Sequence, residues 1–217
     1  MRRAALAVLL MTACFPSYSP PVRALHAGMP GLLSDRQLEV GATMGGTIYP
    51  SVVVPHLSLG LRDGFAFELG GNFNFASTSW AMGWSGARLT LEKHLGIARK
   101  LYADFELGTG FGAGGSDGGT PQTAWHRLLV RGLYGGFGLG LRVAYFGFYG
   151  RVRLDAADGD RTGATYWPSA IVGVEARIAH HLVLGLAGGY LGMFGEGFTA
   201  HGWLYQAQVR YFFDVPI

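Results

Sequence analysis

The chain has 217 residues, 49% of them hydrophobic, with 17 basic and 14 acidic side chains and a formal net charge of +3. That length suits one domain of ordinary size, and basic residues scattered without runs argue against a nucleic-acid partner. No apolar run approaches the ~20 residues that a membrane helix needs, the single cysteine excludes an intrachain disulfide, and the 36 glycines follow no collagen-like register.

In chain order, Arg2 and Arg3 precede an apolar stretch from Ala4 to Met11. The stretch is too short to span a bilayer and has the charge order of a secretory signal, so residues 1–13 are expected to direct export. Met11-Thr12-Ala13-Cys14 resembles the bacterial lipobox, which implies lipidation of Cys14 as the mature N-terminus. Pro16, Pro20, Pro21 and Pro30 follow. Proline fixes φ and removes a donor, so residues 14–36 are expected to form a periplasmic tether without regular structure.

From Gln37 the hydrophobic period becomes two, and residues 37–217 read as one all-β domain. Strand one sets Leu38, Val40, Ala42 and Met44 against Glu39, Gly41 and Thr43. Strand two sets Val53, Leu57, Leu59 and Leu61 against His56, Ser58 and Gly60, and strand three sets Phe65, Phe67, Leu69, Phe73 and Phe75 against Glu68, Asn72 and Asn74. A three-residue turn, Arg62-Asp63-Gly64 with Gly64 left-handed, pairs Leu61 with Phe65 and keeps both faces consistent; a two-residue turn would mix them. Strand four carries Ala87, Leu89 and Leu91 opposite Arg88, Thr90 and Glu92, and strand five carries Leu101, Ala103, Phe105, Leu107 and Phe111 opposite Lys100, Asp104 and Glu106. Strands six to nine fall near Leu133–Val143, Phe146–Leu154, Ala170–Ile178 and Leu182–Leu191, the ninth being apolar on both phases. The tenth runs from Trp203 to Phe213, with Trp203, Tyr205, Ala207, Val209, Tyr211 and Phe213 alternating with Leu204, Gln206, Gln208, Arg210 and Phe212.

An open sheet would leave edge N–H and C=O groups unpaired in lipid, so spanning strands must close into a barrel. About ten strands, with eight as the alternative, give an antiparallel up-and-down transmembrane β-barrel whose termini share the periplasmic side. Tight turns after strands two, six and eight and a short link after strand four alternate with longer outer connections at Phe111–Trp125, Asp155–Trp167 and Leu191–Gly202, the first outer connection, Tyr49–Ser51, being a short exception. Trp80 and Trp84, in the outer connection between strands three and four, and Trp125, Trp167 and Trp203, in or beside the three longer ones, are placed as one aromatic girdle would place them.

The charges of the strands sort onto one phase: Glu39, Glu68, Glu92, Asp104, Glu106 and Glu175 with Arg88, Lys100, Arg142, Arg151, Arg153, Arg177 and Arg210. A balanced interior of this kind favours a narrow or plugged lumen over an open channel. Gly108, Gly110, Gly112, Gly136, Gly138 and Gly140 share that inward phase, either to relieve crowding where strands coil or to leave a hollow for water or a slender ligand.

By alternation, tryptophan placement and the terminal strand, residues 37–213 resemble the small outer-membrane β-barrels of Gram-negative bacteria. The resemblance implies outer-membrane lipid and the barrel-assembly machinery as partners, the latter through the C-terminal strand, and a monomer with a structural, adhesive or narrow-pore role and no cofactor. One local set points elsewhere. The turn register puts Ser58 opposite Glu68 with His56 two residues along the same face, a possible nucleophile, orienting acid and base. The His-x-Ser order resembles that of the lipid A deacylases, outer-membrane barrels with a His-Ser-Glu triad, which implies hydrolysis of a lipid ester. Those enzymes carry the triad on the exterior, whereas here the register turns His56 and Ser58 inward. A secreted soluble barrel binding an apolar ligand, with the two faces exchanged, is the third reading. Asp155, Asp158 and Asp160 crowd an outer connection without EF-hand spacing, and His180-His181 lacks further ligands, so no metal site is expected.

Overall fold

The computed structural model describes residues 21–26, 28–31, 33, 36–46, 52–74, 80–114, 128–159 and 163–214. Alternation produces ten strands: β1 (Gln37–Gly46), β2 (Val52–Gly60), β3 (Phe65–Asn74), β4 (Trp80–Gly96), β5 (Arg99–Gly114), β6 (Leu128–Val143), β7 (Phe146–Gly159), β8 (Gly163–Arg177), β9 (Leu182–Gly195) and β10 (Phe198–Asp214). Each pairs antiparallel with its chain neighbours, and β1 pairs with β10 from Gln37↔Asp214 to Gly46↔Tyr205, closing the barrel.

The expected turn between β2 and β3 forms. Leu61 N–H donates to Phe65 C=O, Gly64 is left-handed at φ 81°, and Ser58 stands opposite Glu68. Asp63 is left-handed as well, at φ 57°. Four short turns and the two ends of the β1–β10 pair lie together at one end of the barrel, the turn end. The opposite end is the loop end. At ~3.3 Å per residue and a tilt of ~40°, the 16 residues of β5 or β6 rise about 40 Å, more than the ~25 Å apolar band of such barrels. Strand pairing therefore continues into two connections expected as outer loops: Asp155 to Gly159 belongs to β7, Trp167 to β8, and the β9–β10 link shrinks to a turn at Glu196-Gly197.

The two faces separate as the sequence requires. On β10, Trp203, Tyr205, Val209, Tyr211 and Phe213 are exposed outward while Leu204, Gln206, Gln208, Arg210 and Phe212 are buried inward. Large apolar side chains such as Leu107, Phe111, Leu133, Val172 and Leu186 cover the rest of the outside. Exchange of the two faces, as a soluble ligand-binding barrel requires, is not the arrangement formed. Near the loop end the outward pair Arg131–Asp158 is exposed to solvent, with 3.5 Å between its charges.

The inside is not uniformly polar. Apolar inward residues of both sheet halves, among them Val54, Met82, Tyr134, Ile171, Leu191 and Met193, gather into a core. This explains why β9 is apolar on both phases: one side faces out and the other packs inside.

The expected tether is the principal correction. Its described residues lack regular structure, yet they lie within the barrel rather than beside it, and Val22, Arg23, Leu25, His26 and Met29 are each at most 2% exposed. Val22 touches the positions of Gly110 and Gly132 near the loop end, Met29 those of Gly140 and Gly147 near the turn end, and Leu33 joins Ala66, Val183 and Phe212. The segment thus descends the lumen and leaves it at Arg36, whose N–H donates to Gly60 C=O as β1 begins.

Candidate functional site in the occluded lumen

A backbone drawn through a barrel finds no sheet partner, so its polar groups must be met by side chains. Inward alternation supplies them. Asn72 Nδ2 donates to Val22 C=O at 2.6 Å, and Arg23 N–H donates to Asp155 Oδ2 at 3.0 Å. Arg153 donates to the carbonyls of Leu25, at 3.0 Å, and of Arg23. Gln206 grips His26 twice, accepting from its N–H at 3.0 Å and donating to its C=O at 3.2 Å. Arg151 donates to Gly28 C=O at 3.0 Å, and Met29 N–H donates to Glu175 Oε1 at 2.6 Å.

Two side chains of the segment enter this polar wall. The Arg23 guanidinium donates to Glu68 Oε2 at 2.9 Å and Glu106 Oε2 at 3.2 Å, and its carbon stands 4.2 Å from the Trp84 ring centroid and 5.7 Å from that of Tyr134. His26 Nε2 and Ser169 Oγ are 2.8 Å apart. Burial, with the Arg153, Arg151 and Arg23 charges, holds the His26 imidazole well below its usual range, so it is neutral.

The wall is cross-linked by its own ion pairs. Arg151 binds Asp104 at 2.8 Å and Glu106 at 3.0 Å, Arg88 binds Glu68 at 3.1 Å, and Arg153 binds Asp155 at 2.9 Å. Arg210 bridges Glu39, at 3.1 Å, and Glu175. The other expected lumenal charges sit toward the turn end: Lys100 and Glu92 pair at 2.8 Å, Arg142 lies over Tyr102, and Arg177 is solvent-exposed beside Phe212.

The catalytic set is brought inside but not wired as a triad. Ser58 Oγ donates to Glu68 Oε1 at 3.4 Å, whereas His56 Nε2 lies 3.2 Å from Glu39 Oε1. Imidazole and hydroxyl thus turn to different carboxylates, and Glu68 is already engaged by Arg23 and Arg88.

The girdle needs correcting at two members. Trp84 and Trp167 are buried in the lumen, 4% and 1% exposed, while Trp203 faces outward. Phase is the reason: Trp84 shares a face with Arg88, and Trp167 with Glu175, both inward. Trp80 opens β4, while Trp125 and Cys14 lie outside the described residues. The three aspartates do not cluster either: Asp155 is buried, Asp158 points out, and Asp160 lies outside the described residues.

The inward glycines resolve between their two readings. At Gly110 an added Cβ would come within 2.6 Å of Val22, and at Gly140 within 3.0 Å of Met29 and 3.2 Å of Pro30. At Gly110, Gly138 and Gly140 the glycines leave a hollow that this chain's own segment fills, whereas at Gly108, Gly112 and Gly136 an added Cβ would meet the wall itself, at Tyr134, Met82 and Glu106, so there the glycines relieve crowding. Sequence reasoning missed Arg23 and His26 and placed Asp155 in an outer connection rather than in the lumen; the glycines at 110, 138 and 140 were the signal that something slender had to pass.

No family model matches the chain, and no curated protein matches it in sequence. Among solved structures it is similar to the N-terminal β-barrel domain of Pseudomonas aeruginosa OprF, 10% identical over 82% of this chain and 98% of that one, with a TM-score of 0.43. It is likewise similar to the outer membrane protease OmpT from Escherichia coli, at 8% identity over 84% and 98% and a TM-score of 0.38, and to the KdgM porin, at 10% over 80% and 98% and a TM-score of 0.34. The fold of the chain is a closed, all-antiparallel, ten-strand β-barrel.

Proposed function

We propose that the chain is an integral outer-membrane β-barrel without enzymatic activity, closed at rest by its own described residues between Pro21 and Leu33 and serving a structural, adhesive or narrow-pore role. The observation that carries this reading is the outward belt of large apolar side chains around a closed sheet whose buried ion pairs are held inside. Exposed apolar area on that scale is unfavourable in water and favourable in hydrocarbon. Outer-membrane lipid is then the barrel's solvent. The terminal β10, ending in Tyr211, Phe212 and Phe213, is the element that the barrel-assembly machinery would receive.

The protein is expected to be extracted only by detergent, as a monomer, and to migrate differently on gels before and after heating. Recovery as a soluble monomer without detergent overturns the reading. Residues 1–13 serve as the export signal and Cys14 as the lipid attachment point; radioactive fatty acid should label wild type and not Cys14→Ala, and labelling unchanged by the substitution removes the anchor.

A further inference from the structure

Within the lumen, the environment of the Arg23 side chain belongs to the wall and not to the segment. Glu68 comes from β3, Trp84 from β4, Glu106 from β5 and Tyr134 from β6, all at most 4% exposed. From these we infer that the barrel carries a guanidinium-binding site, occupied in cis by Arg23 and open in trans to the arginyl side chain of a peptide or to a small alkylguanidinium. The inference rests on the proposed reading only in placing this site inside a membrane barrel.

Three features fit that ligand class. The guanidinium lies over the indole of Trp84 while one of its nitrogens, Nη1, reaches both carboxylates, and it is the stacking on the ring that suits a planar, weakly hydrated guanidinium better than a compact ammonium. Both carboxylates keep a wall partner of their own, Arg88 on Glu68 and Arg151 on Glu106, so departure of Arg23 leaves neither as a naked buried charge. That makes the occupant exchangeable. The surrounding wall also meets the backbone on either side of Arg23, through Asn72, Asp155 and Arg153, so the site can accept an arginine together with its flanking peptide groups.

The test is calorimetric titration of the full-length protein in detergent, a readout indifferent to where the barrel resides. Arg23→Ala should bind ethylguanidinium saturably and at least tenfold more tightly than ethylammonium, and at least tenfold more tightly than wild type does. Adding Trp84→Leu or Glu106→Gln to that variant should abolish the preference. A pentapeptide Val-Arg-Ala-Leu-His binding tighter than ethylguanidinium assigns the site to peptides, and equal binding assigns it to small guanidinium compounds. In wild type, should Arg23→Ala fail to fold, ethylguanidinium should speed chymotryptic cleavage after Leu25 by expelling the segment, and ethylammonium should not. Equal binding of the two cations by Arg23→Ala overturns the inference, as does equal cleavage in wild type.

Discussion

His26 and Ser169 meet inside the barrel through a 2.8 Å contact between Nε2 and Oγ, with the imidazole surrounded by Arg23, Arg151 and Arg153. Those arginines stay charged across the physiological range, so the histidine is the switchable member of the group. Docked, its affinity for a proton is lowered; withdrawn to water, it titrates near ~6.5. Seating of the segment is therefore fully favoured above about pH 6.5. It weakens by up to ~1.4 kcal/mol, tenfold, for each unit below that until the docked imidazole itself protonates. Planar-bilayer conductance should accordingly rise about tenfold between pH 6 and 5, and His26→Gln should flatten that slope. A conductance independent of pH in wild type refutes the assignment.

Gly140 offers a way to displace the segment without touching it. Leucine there would press on Met29 and Pro30, so Gly140→Leu should leave the barrel folded, expose Leu25 to chymotrypsin and raise conductance. Gly135 faces the other way, where an added Cβ finds ordinary contacts at 3.6 and 3.7 Å, so Gly135→Ala should change neither measurement.

Arg151 holds two wall carboxylates and a segment carbonyl at once. Its removal leaves Asp104 with no other ion-pair partner among the described residues, and breaking a buried pair from one side costs about 3 to 5 kcal/mol. Arg151→Ala should lower the midpoint of urea unfolding in detergent accordingly, whereas Arg131→Ala, at an exposed pair, should shift it by less than ~1 kcal/mol.

Val172 tests the exterior. It lies five residues from Arg177 along β8, about 13 Å above the turn end at ~3.3 Å per residue and ~40° tilt, near the middle of a ~25 Å apolar band. Val172→Arg should cost about 2 to 4 kcal/mol in lipid vesicles, and Ala164→Arg, close to the loop end, about 0 to 1. Equal and negligible costs at both positions would mean that the outer surface meets water.

Legibility followed what alternation can report. Period two placed the two faces of β10 correctly from Trp203 to Phe213, though not its first residues from Phe198, and the conflict of phases at Arg62-Asp63-Gly64 selected the turn that forms, because a one-residue slip would have reversed a whole strand. The same rule applied to Trp84 and Trp167 would have turned them inward; grouping tryptophans by nearness to loops overrode a phase already visible from Arg88 and Glu175. Residues 21–33 were illegible for another reason. A segment whose backbone is satisfied by distant side chains has no period of its own, and its prolines look the same in a tether as in a lumen. Only the wall registered it, through glycines at 110, 132, 138 and 140.

Gln206, on the last strand, grips the backbone of His26, 180 residues earlier, and Leu33 packs on Phe212. Strand β10 is also the one that completes the seam with β1. The seam of the barrel and the seat of the first described residues therefore share one strand. The described segment and the wall around it form one interlocked core, in which the last strand to close the cylinder is also one that holds the segment.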